Sequence, residues 1–459
     1  MDQKQNQPTA GGNTRRVFIK QAATAAVAVA ATNVFKTPVY GQSQAPSTGR
    51  VIGANDRIVL GFIGVGSQGL NSHLKPIVQT ASQNNVAVAA VCDVSKHRVA
   101  EALPAAGGAA KSFDDYRKLL EEKDIDAIFC ATVDHWHGRV SIDALNAGKH
   151  VYVEKPMTRY LPEAFEVYDA VKKTGKILQV GSQGCSDQKW HEAARLIKEG
   201  QIGPVVMSQG SYMRNTPKGE WNQYQLEAWA TAEDVNWQAW LGDKIKKRNN
   251  FDREDYFRWR KYYQYCAGLL GDLFPHKLHP YMLATGNPEF PLRVASVGSK
   301  KVHTDKNTPD ARERDVPEIL QLIAEFPSGM VMHITCSTVS EQGTQEMIRG
   351  HKGYLVMAGN KVDLKPERPF AEEIDPYTSP PFPMESIPVH HKNFFDSIRG
   401  AAKPNCGVDL AVRVQTVVSL GEMSERLSTM CLFDEKTRKI TAYGGKEIEP
   451  LSYGVLDPS

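Results

Sequence analysis

A glycine-rich turn placed directly after an apolar run constrains the fold of this chain more than any other feature of its sequence. The run Ile58–Ile63 is typical of a buried strand, and Gly64-Val65-Gly66-Ser67-Gln68-Gly69 follows it at once. Glycines at this spacing let a strand turn sharply into a helix, let a ligand approach the backbone and let the helix pack closely. The pattern is typical of a βα unit whose helix N-terminus binds the phosphates of a dinucleotide.

An acidic residue stands where such a site needs one. Asp93 ends the apolar run Val86 to Cys92 and lies 24 residues after Gly69, where a carboxylate can accept hydrogen bonds from ribose hydroxyls. A carboxylate there repels a 2′-phosphate, which favours NAD over NADP, although Lys96 and Arg98 lie close by. The residues predicted here to bind the cofactor are Gly64, Gly66, Ser67, Gln68, Gly69 and Asp93. Pro76 removes a backbone donor, so we expect the first helix to be short or kinked.

Strand-like and helix-like segments alternate up to Gly181 and then give way to longer strands joined by loops rich in Pro, Asn, Lys and Trp. The alternation predicts an α/β Rossmann dinucleotide-binding domain over residues 57–181. The later texture predicts an α+β C-terminal domain with a large, mainly antiparallel sheet over residues 182–430. Its final amphipathic helix, near 410–427, is expected to pack back onto the first domain, and residues 431–459 are expected to form a tail.

The N-terminus carries the pattern of a twin-arginine signal. Arg15 and Arg16 precede the apolar stretch Ala22 to Ala31, which is much shorter than the roughly 20 residues of a membrane span. We therefore predict a signal over 1–45, cut near Ser43-Gln44-Ala45, and a linker over 46–56. The twin-arginine translocator accepts folded proteins, so the protein is expected in the periplasm or otherwise exported, carrying a tightly bound cofactor.

Composition excludes several classes of partner. Removing residues 1–45 takes away five Lys/Arg and one Asp, leaving 50 basic against 51 acidic residues. A nearly neutral protein argues against nucleic acid or an anionic membrane as the main partner of the mature form. The seven cysteines are scattered without a Cys-x-x-Cys pair, and an oxidising compartment leaves open whether any form a disulfide.

Two polar loops follow neighbouring strands of the predicted sheet. Thr132-Val133-Asp134-His135-Trp136-His137 follows one strand and Glu154-Lys155-Pro156 follows the next, so both loops open at the carboxyl edge, where ligands bind. We predict cofactor contacts from Thr132, His135 and Glu154.

Together these motifs resemble the glucose-fructose oxidoreductase / inositol dehydrogenase family, Gfo/Idh/MocA. The resemblance runs from Arg57 to about Leu427 and includes the helix end Glu199-Gly200 and the segment Gly271-Asp272-Leu273-Phe274-Pro275-His276. It implies a nicotinamide-dependent oxidoreductase acting on CH-OH groups of sugars or polyols. It also implies that Lys155, Asp272 and His276 lie at the reacting carbon.

Elementary chemistry agrees with that implication. Removing a hydride from an alcohol carbon also requires the hydroxyl proton to leave, and histidine is the usual acceptor. A four-residue spacing puts Asp272 and His276 on one helical face. His279 continues that face, so a divalent metal is a second possibility, but no other ligand cluster is evident and we predict no metal. His390-His391 is interpreted as a surface pair.

The remaining candidates concern substrate binding. All seven tryptophans lie between residues 136 and 259, and aromatic faces stack on the apolar faces of sugar rings. The residues predicted to contact the substrate are Trp136, Gln183, Tyr212, Arg214 and His279.

The leading hypothesis is an exported oxidoreductase that passes hydride between NAD and a sugar, glycoside or polyol, with Lys155 and His276 handling the hydroxyl proton. An NAD-dependent glycosidase like glycoside hydrolase family 109, or a sugar-binding protein without catalysis, stays open. By analogy with the family, a homo-oligomer, dimer or tetramer, is expected.

Overall fold

The computed structural model describes residues 57–245, 250–286, 288–303 and 311–456. The predicted signal peptide over 1–45 and linker over 46–56 lie outside these residues. Two sheets organise the described chain, and together they confirm the predicted fold class.

The first sheet has six parallel strands in the order β3-β2-β1-β4-β5-β6, which is the order of a dinucleotide-binding Rossmann domain. The apolar runs are buried on both faces because helices cover the sheet on either side. The strands are β1 (Ile58–Ile63), β2 (Val86–Cys92), β3 (Lys111–Phe113), β4 (Ala127–Cys130), β5 (His150–Val153) and β6 (Leu178–Val180).

The helix after the glycine turn changes its winding where the proline falls. Its first segment is π-helical, and the α-helical part starts at Lys75 with Pro76 in its first turn, where the missing N–H costs least. The helices of this domain are α1 (Gln68–Leu74), α2 (Lys75–Gln79), α3 (Ala81–Asn84), α4 (Lys96–Ala106), α5 (Tyr116–Leu120), α6 (Asp134–Asn146) and α7 (Leu161–Thr174).

The second sheet has twelve strands and is antiparallel except where β7 runs parallel to β10. Its order is β15-β14-β13-β12-β7-β10-β9-β8-β16-β17-β18, with β11 pairing only with β7. The strands are β7 (Val205–Asn215), β8 (Arg293–Ser299), β9 (Ile319–Glu325), β10 (Val331–Ser337), β11 (Val339–Ser340), β12 (Met347–Gly350), β13 (Gly353–Ala358), β14 (Lys361–Pro366), β15 (Tyr377–Thr378), β16 (Cys431–Asp434), β17 (Lys439–Ala442) and β18 (Glu447–Ile448).

Residues 431–459 are expected as a tail, but the part of them over 431–448 forms three strands. β16 pairs with β8 and carries β17 and β18 at the end of the large sheet. The pairing buries Cys431, Phe433 and Ile440, so this segment belongs to the folded core of the second domain.

Helices cover the inner face of the large sheet and connect it to the Rossmann domain. They are α8 (Gln188–Lys198), α9 (Trp237–Leu241), α10 (Arg253–Arg258), α11 (Leu269–Asp272), α12 (Pro275–Ala284), α13 (Ile387–Ile398) and α14 (Val408–Leu427). α14 packs against α7 of the first domain and β8 of the second. A buried ion pair between Arg159 and Glu422 (Nη1 to Oε2, 2.6 Å) fixes that packing. Among the described residues, no helix combines the length and apolar character needed to cross a membrane.

Candidate active site

A cleft of about 1060 Å³ opens at the carboxyl ends of the Rossmann strands. One end is lined by the glycine turn and Asp93, and the other by Lys155, Asp272 and His276. The predicted cofactor motif and the predicted reacting groups therefore share one cavity, as ligands do at this edge of doubly wound sheets.

The three glycines of the turn differ in what a Cβ at each position would contact. Gly64 has φ +83° and lies against the Ala131–Thr132 backbone, so that a Cβ added there would lie 2.7 Å from Thr132 N. At Gly69 a Cβ would clash with the carbonyl oxygen of Gly64. At Gly66 a Cβ would have no atom within 4 Å, so protein packing does not require glycine there. The open space over Gly66 fits a pyrophosphate approaching the backbone.

Asp93 is tied to the glycine turn. Its Oδ2 accepts a hydrogen bond from Val65 N at 2.9 Å, and its Oδ1 accepts one from Ser95 N at 3.0 Å. Burial raises the pKa of Asp93, against the effect of those amides and of Arg98. The carboxylate therefore holds the turn in place and lines the cleft at the end where the adenosine of a dinucleotide is expected.

A segment of the second domain closes over that end of the cleft. Asp234 accepts hydrogen bonds from Ser95 Oγ at 2.6 Å and from His97 N at 2.9 Å. The Trp229 ring stacks on His97, with centroids 4.1 Å apart, and the Arg98 guanidinium lies 4.7 Å from its centroid. The cofactor end is thus enclosed by both domains.

Lys155 and Asp272 form the centre of the other end. Lys155 Nζ donates to Asp272 Oδ1 at 2.7 Å and to the Asp272 carbonyl oxygen at 2.8 Å, which leaves one N–H of the ammonium group for a ligand. Burial would raise the pKa of Asp272, but Lys155 and Arg260 hold it well below its usual range. Trp221 Nε1 donates to Asp272 Oδ2 at 3.3 Å, so the carboxylate is held from several sides.

His276 faces the same cavity with an uncharged ring. Its imidazole stacks on the Tyr212 ring, with centroids 5.1 Å apart and an angle of 28°. Burial, together with the charge of Lys155, lowers the pKa of His276 to about 3. At neutral pH the ring is therefore an uncharged imidazole with a nitrogen lone pair. Asp272 ends α11 and His276 is the second residue of α12, so the pair spans a break between two helices and does not lie on one continuous helix as the spacing predicted.

Glu154 is part of a buried polar chain. Its Oε1 contacts His73 Nε2 at 2.7 Å and accepts from Gln68 Nε2 at 2.9 Å, and His73 Nδ1 lies 2.8 Å from His391 Nε2. Burial would raise the pKa of Glu154, but His73 and Lys155 lower it to about 2.

The interpretation of His390-His391 as a surface pair is wrong. Both residues are buried, because α13 packs against the Rossmann sheet and turns them inward. His390 contacts Ser186 Oγ at 2.7 Å and the Val180 carbonyl at 2.9 Å.

Most of the predicted site residues line the cleft. They are Gly64, Gly66, Ser67, Gln68, Asp93, Thr132, Trp136, Glu154, Lys155, Gln183, Tyr212, Arg214, Asp272 and His276, while Gly69 lies beneath the turn.

Two of the residues predicted to belong to the site do not face the cleft. His135 turns away from the cleft and contacts the Trp240 carbonyl at 2.9 Å. Because α6 starts at Asp134, the Asp134 side chain lines the cleft in its place. His279 is buried, and its Nδ1 donates to the Pro275 carbonyl of its own helix at 3.0 Å. Neither residue is placed to contact a ligand in the cleft.

The aromatic residues divide between cleft and core. Trp136, Trp240 and Trp259 line the cleft, although Trp240 and Trp259 are themselves largely buried, whereas Trp190 and Trp237 are buried away from it. Sequence reasoning missed Arg260, Tyr224 and Asp134, which also line it. Tyr224 lies in a turn and Arg260 in the short helical turn Trp259–Lys261, and neither has a periodic pattern that indicates a site. Asp134 belongs to a loop that the sequence already indicated, and its place at the start of a helix could have identified it.

Among the described residues no group of three or more His, Cys, Asp or Glu side chains could hold a metal ion. All seven cysteines are buried and free. Cys185 and Cys406 are neighbours in the core, where burial, together with the adjacent Cys185 thiol, raises the pKa of Cys406.

Comparison with known proteins assigns the first domain to a class. Residues 58–182 match the Gfo/Idh/MocA oxidoreductase family, NAD-binding Rossmann fold. The match covers the first domain alone and agrees with its six-stranded parallel Rossmann sheet.

The relatives found by sequence cover parts of the chain. Inositol 2-dehydrogenase of Salmonella typhimurium is 29% identical over 182 residues, 39% of this chain and 53% of that protein. A glycosyl hydrolase family 109 protein of Shewanella baltica is 25% identical over 268 residues, 53% of this chain and 56% of that protein. The chain thus aligns with about half the length of these relatives.

Solved structures share the fold over most of the chain. Levoglucosan dehydrogenase, in complex with NADH and levoglucosan, superposes with a TM-score of 0.63 at 19% identity, covering 82% of this chain and 98% of that one. Aldose-aldose oxidoreductase from Caulobacter crescentus superposes with a TM-score of 0.60 at 18% identity, covering 82% and 100%. At these identities the likeness establishes the fold of both domains.

Proposed function

We propose that this protein is an NAD-dependent oxidoreductase that oxidises a CH-OH group of a sugar, glycoside or polyol, or reduces the corresponding ketone. One observation carries the proposal: Lys155, Asp272 and His276 meet in the same cleft as the glycine turn. The inositol and levoglucosan dehydrogenases among the similar proteins support it.

The residues present fit NAD. The backbone at Gly66 is open to a pyrophosphate, and Ser67, Gln68, Asp93 and Thr132 line its side of the cleft. When bound, NAD would accept the hydride from the alcohol carbon. Asp93 favours NAD over NADP because a second negative charge beside it is repelled.

The protein's own residues handle the proton. Lys155, ion-paired with Asp272, donates its remaining N–H to the substrate oxygen and stabilises the negative charge that develops there. His276, uncharged at neutral pH, takes the hydroxyl proton onto a ring nitrogen. Asp272 keeps the Lys155 ammonium in place across the domain boundary.

The enclosed adenosine end supports a cofactor that is retained through purification. Asp234 and Trp229 close over Ser95, His97 and Arg98, so release requires these contacts to open. Mass spectrometry of the denatured protein checks this directly, and a screen of sugars and polyols for NADH formation checks the activity. The proposal would be wrong if the purified protein neither retains nor binds NAD(H), or if none of the carbohydrates tested supports reduction of NAD.

A second candidate is an NAD-dependent glycosidase, in which oxidation, elimination and re-reduction give net hydrolysis. It is favoured by the match to glycosyl hydrolase family 109 proteins, which extends over 268 residues. The segment Gly268 to Leu273, which presents Asp272, departs from the glycine-rich segment we associate with that family. Release of the aryl group from aryl glycosides without net change in NADH would favour this candidate over the first.

We also propose export by the twin-arginine pathway, on the basis of Arg15 and Arg16 before the apolar stretch. The double change Arg15→Lys and Arg16→Lys should retain the protein in the cytoplasm, measured by fractionation. Equal export of this variant and the original chain would contradict the proposal.

A homo-oligomer is proposed from the outer face of the large sheet. Val297 and Ile323 lie on this face and are 76% and 51% exposed, which is unusual for large apolar residues in the middle of strands. Light scattering of the purified protein measures the assembly, and a monomer at micromolar concentration would contradict this inference.

A further inference from the structure

Asp134 has a position that the proposed chemistry does not explain. It begins α6 at the carboxyl end of β4 and lines the end of the cleft that holds Lys155 and Asp272. The residue is only 5% exposed, its carboxyl oxygens open to the cleft and are not sealed in the core, and no described group donates a hydrogen bond to them. A buried carboxylate without a donor is costly, so such a group in a cleft points to a donor that arrives with a ligand.

The charged groups that act most strongly on Asp134 come from α6, the loop after β5, the turn 259–261 and α11. They are His137 on α6, Lys155 after β5, Arg260 on the turn Trp259–Lys261 and Asp272 on α11. These neighbours are engaged with other partners. His137 contacts the Pro156 and Thr132 carbonyls at 2.7 and 3.2 Å, Lys155 bonds Asp272, and Arg260 Nε lies 3.5 Å from Asp272 Oδ1.

Asp134 also reaches the substrate side of the cleft. Its Oδ2 lies 3.5 Å from the position that a Cβ on Gly271 would take, beside Asp272 in the second domain. The carboxylate therefore stands next to the groups assigned to the reacting oxygen.

The reacting hydroxyl cannot be the missing donor. It has one proton, which His276 receives in the proposed reaction, and its oxygen accepts from Lys155. The Asp134 carboxylate lies beside that oxygen and has free lone pairs. It can therefore accept a hydrogen bond from a second hydroxyl, on the neighbouring carbon of a sugar or polyol.

We propose that Asp134 is a substrate-binding residue that accepts a hydrogen bond from the hydroxyl adjacent to the oxidised carbon, so that the enzyme selects vicinal diols. The inference rests on the proposed function and narrows its substrate class. It requires the carboxylate form, and burial raises the pKa of Asp134 to about 6, opposed by His137, Arg260 and Lys155. Substrate binding should then weaken as the pH falls below about 6, while Glu154 and His276, with pKa values of about 2 and 3, keep their protonation states.

The test compares Asp134→Asn with the original protein on myo-inositol, D-glucose and their monodeoxy analogues, at saturating NAD. In the original protein, removing the adjacent hydroxyl should lower kcat/KM by roughly 100-fold or more, because the buried acceptor is left without a donor. In Asp134→Asn that discrimination should shrink to roughly 10-fold or less, since the amide binds the hydroxyl less strongly than the carboxylate. The acidic limb of kcat/KM near pH 6 should also disappear.

Asp243→Asn is the matched control, because it removes one carboxylate from the mouth of the same cleft. It should keep both the discrimination and the acidic limb. If Asp134→Asn instead weakens NADH binding and leaves the diol discrimination intact, the carboxylate serves the cofactor and the proposal is wrong.

Failure of the proposed function gives a different result. If the original protein forms no NADH from any of these compounds, the NADH-loaded protein is titrated with myo-inositol and D-glucose, and tryptophan fluorescence is followed. Weaker binding by Asp134→Asn than by the original protein supports the contact. Equal binding, or no binding to either protein, overturns it.

Discussion

Lys155 and Asp272 are joined across the domain boundary by an ammonium–carboxylate bond of 2.7 Å. Lys155 follows the fifth strand of the Rossmann sheet, whereas Asp272 ends a short helix of the second domain. Neither domain alone could build this pair. The reacting end of the cleft therefore depends on how the two sheets are held against each other.

Replacing Lys155 with methionine should abolish most turnover while leaving NADH binding nearly unchanged. The loss in kcat should be roughly 100- to 10,000-fold, because the developing charge on the substrate oxygen loses its donor. Kinetics on the best compound of the sugar panel, with NADH titration by fluorescence, measure the two effects separately.

Lys172→Met is the matched control for that change. Lys172 also pairs with an aspartate, Asp409, at 2.9 Å, but on the exposed surface away from the cleft. Its kcat should stay within about 2-fold of the original, as expected for an exposed ion pair. A full kcat in Lys155→Met would leave a sugar-binding protein without Lys155-dependent catalysis as the better interpretation.

The glycine turn predicts two opposite outcomes for the same substitution. Gly66→Ala meets no protein atom within 4 Å, so its melting temperature should be unchanged while NADH affinity falls by roughly 10-fold or more. Gly69→Ala would clash with the Gly64 carbonyl oxygen and should lower stability by about 2–4 kcal/mol. Thermal unfolding without nucleotide and NADH titration distinguish the two. Equal destabilisation by both changes would contradict the different roles assigned to these glycines.

Asp93 predicts the cofactor preference. The original protein should bind NADH more tightly than NADPH, and Asp93→Ser should shift the ratio toward NADPH by roughly 10-fold, because the repulsion is removed and Arg98 remains nearby. The ratio of the two dissociation constants is the measurement. In the double variant Asp93→Ser with Arg98→Ala the gain should be lost. An original protein that prefers NADPH would show that Asp93 does not select the cofactor.

The strands and the glycine turn of the Rossmann domain could largely be predicted from the sequence, because the patterns that indicate them are local in the chain. The strand over 86–92 has the predicted bounds, since an apolar run covered by helices on both faces has little freedom to shift. The glycine turn and Asp93 lie within one βα unit and the strand that follows, so their spacing along the chain predicts their spacing in space.

The second domain is harder to predict, because its paired strands are far apart along the chain. Strand 431–434 pairs with 293–294, over more than 130 residues, and no local pattern indicates that partner. The same holds for side chains at the site. Whether Asp134 or His135 faces the cleft depends on where the helix starts. His279 is turned inward by tertiary packing, which its spacing along the helix cannot predict.

The buried pair Arg159–Glu422 should stabilise the protein without taking part in turnover. Both side chains are at most 2% exposed, and Arg159 also donates to the Tyr263 carbonyl at 2.8 Å. Glu422→Gln leaves a buried guanidinium without its counter-charge, which should lower the free energy of unfolding by about 3–5 kcal/mol. Glu199→Gln, which removes an exposed partner of Arg195, should change it by less than about 0.5 kcal/mol. Denaturant titration measures both, and a Glu422→Gln protein as stable as the Glu199→Gln control would show that α14 is held by its apolar contacts alone.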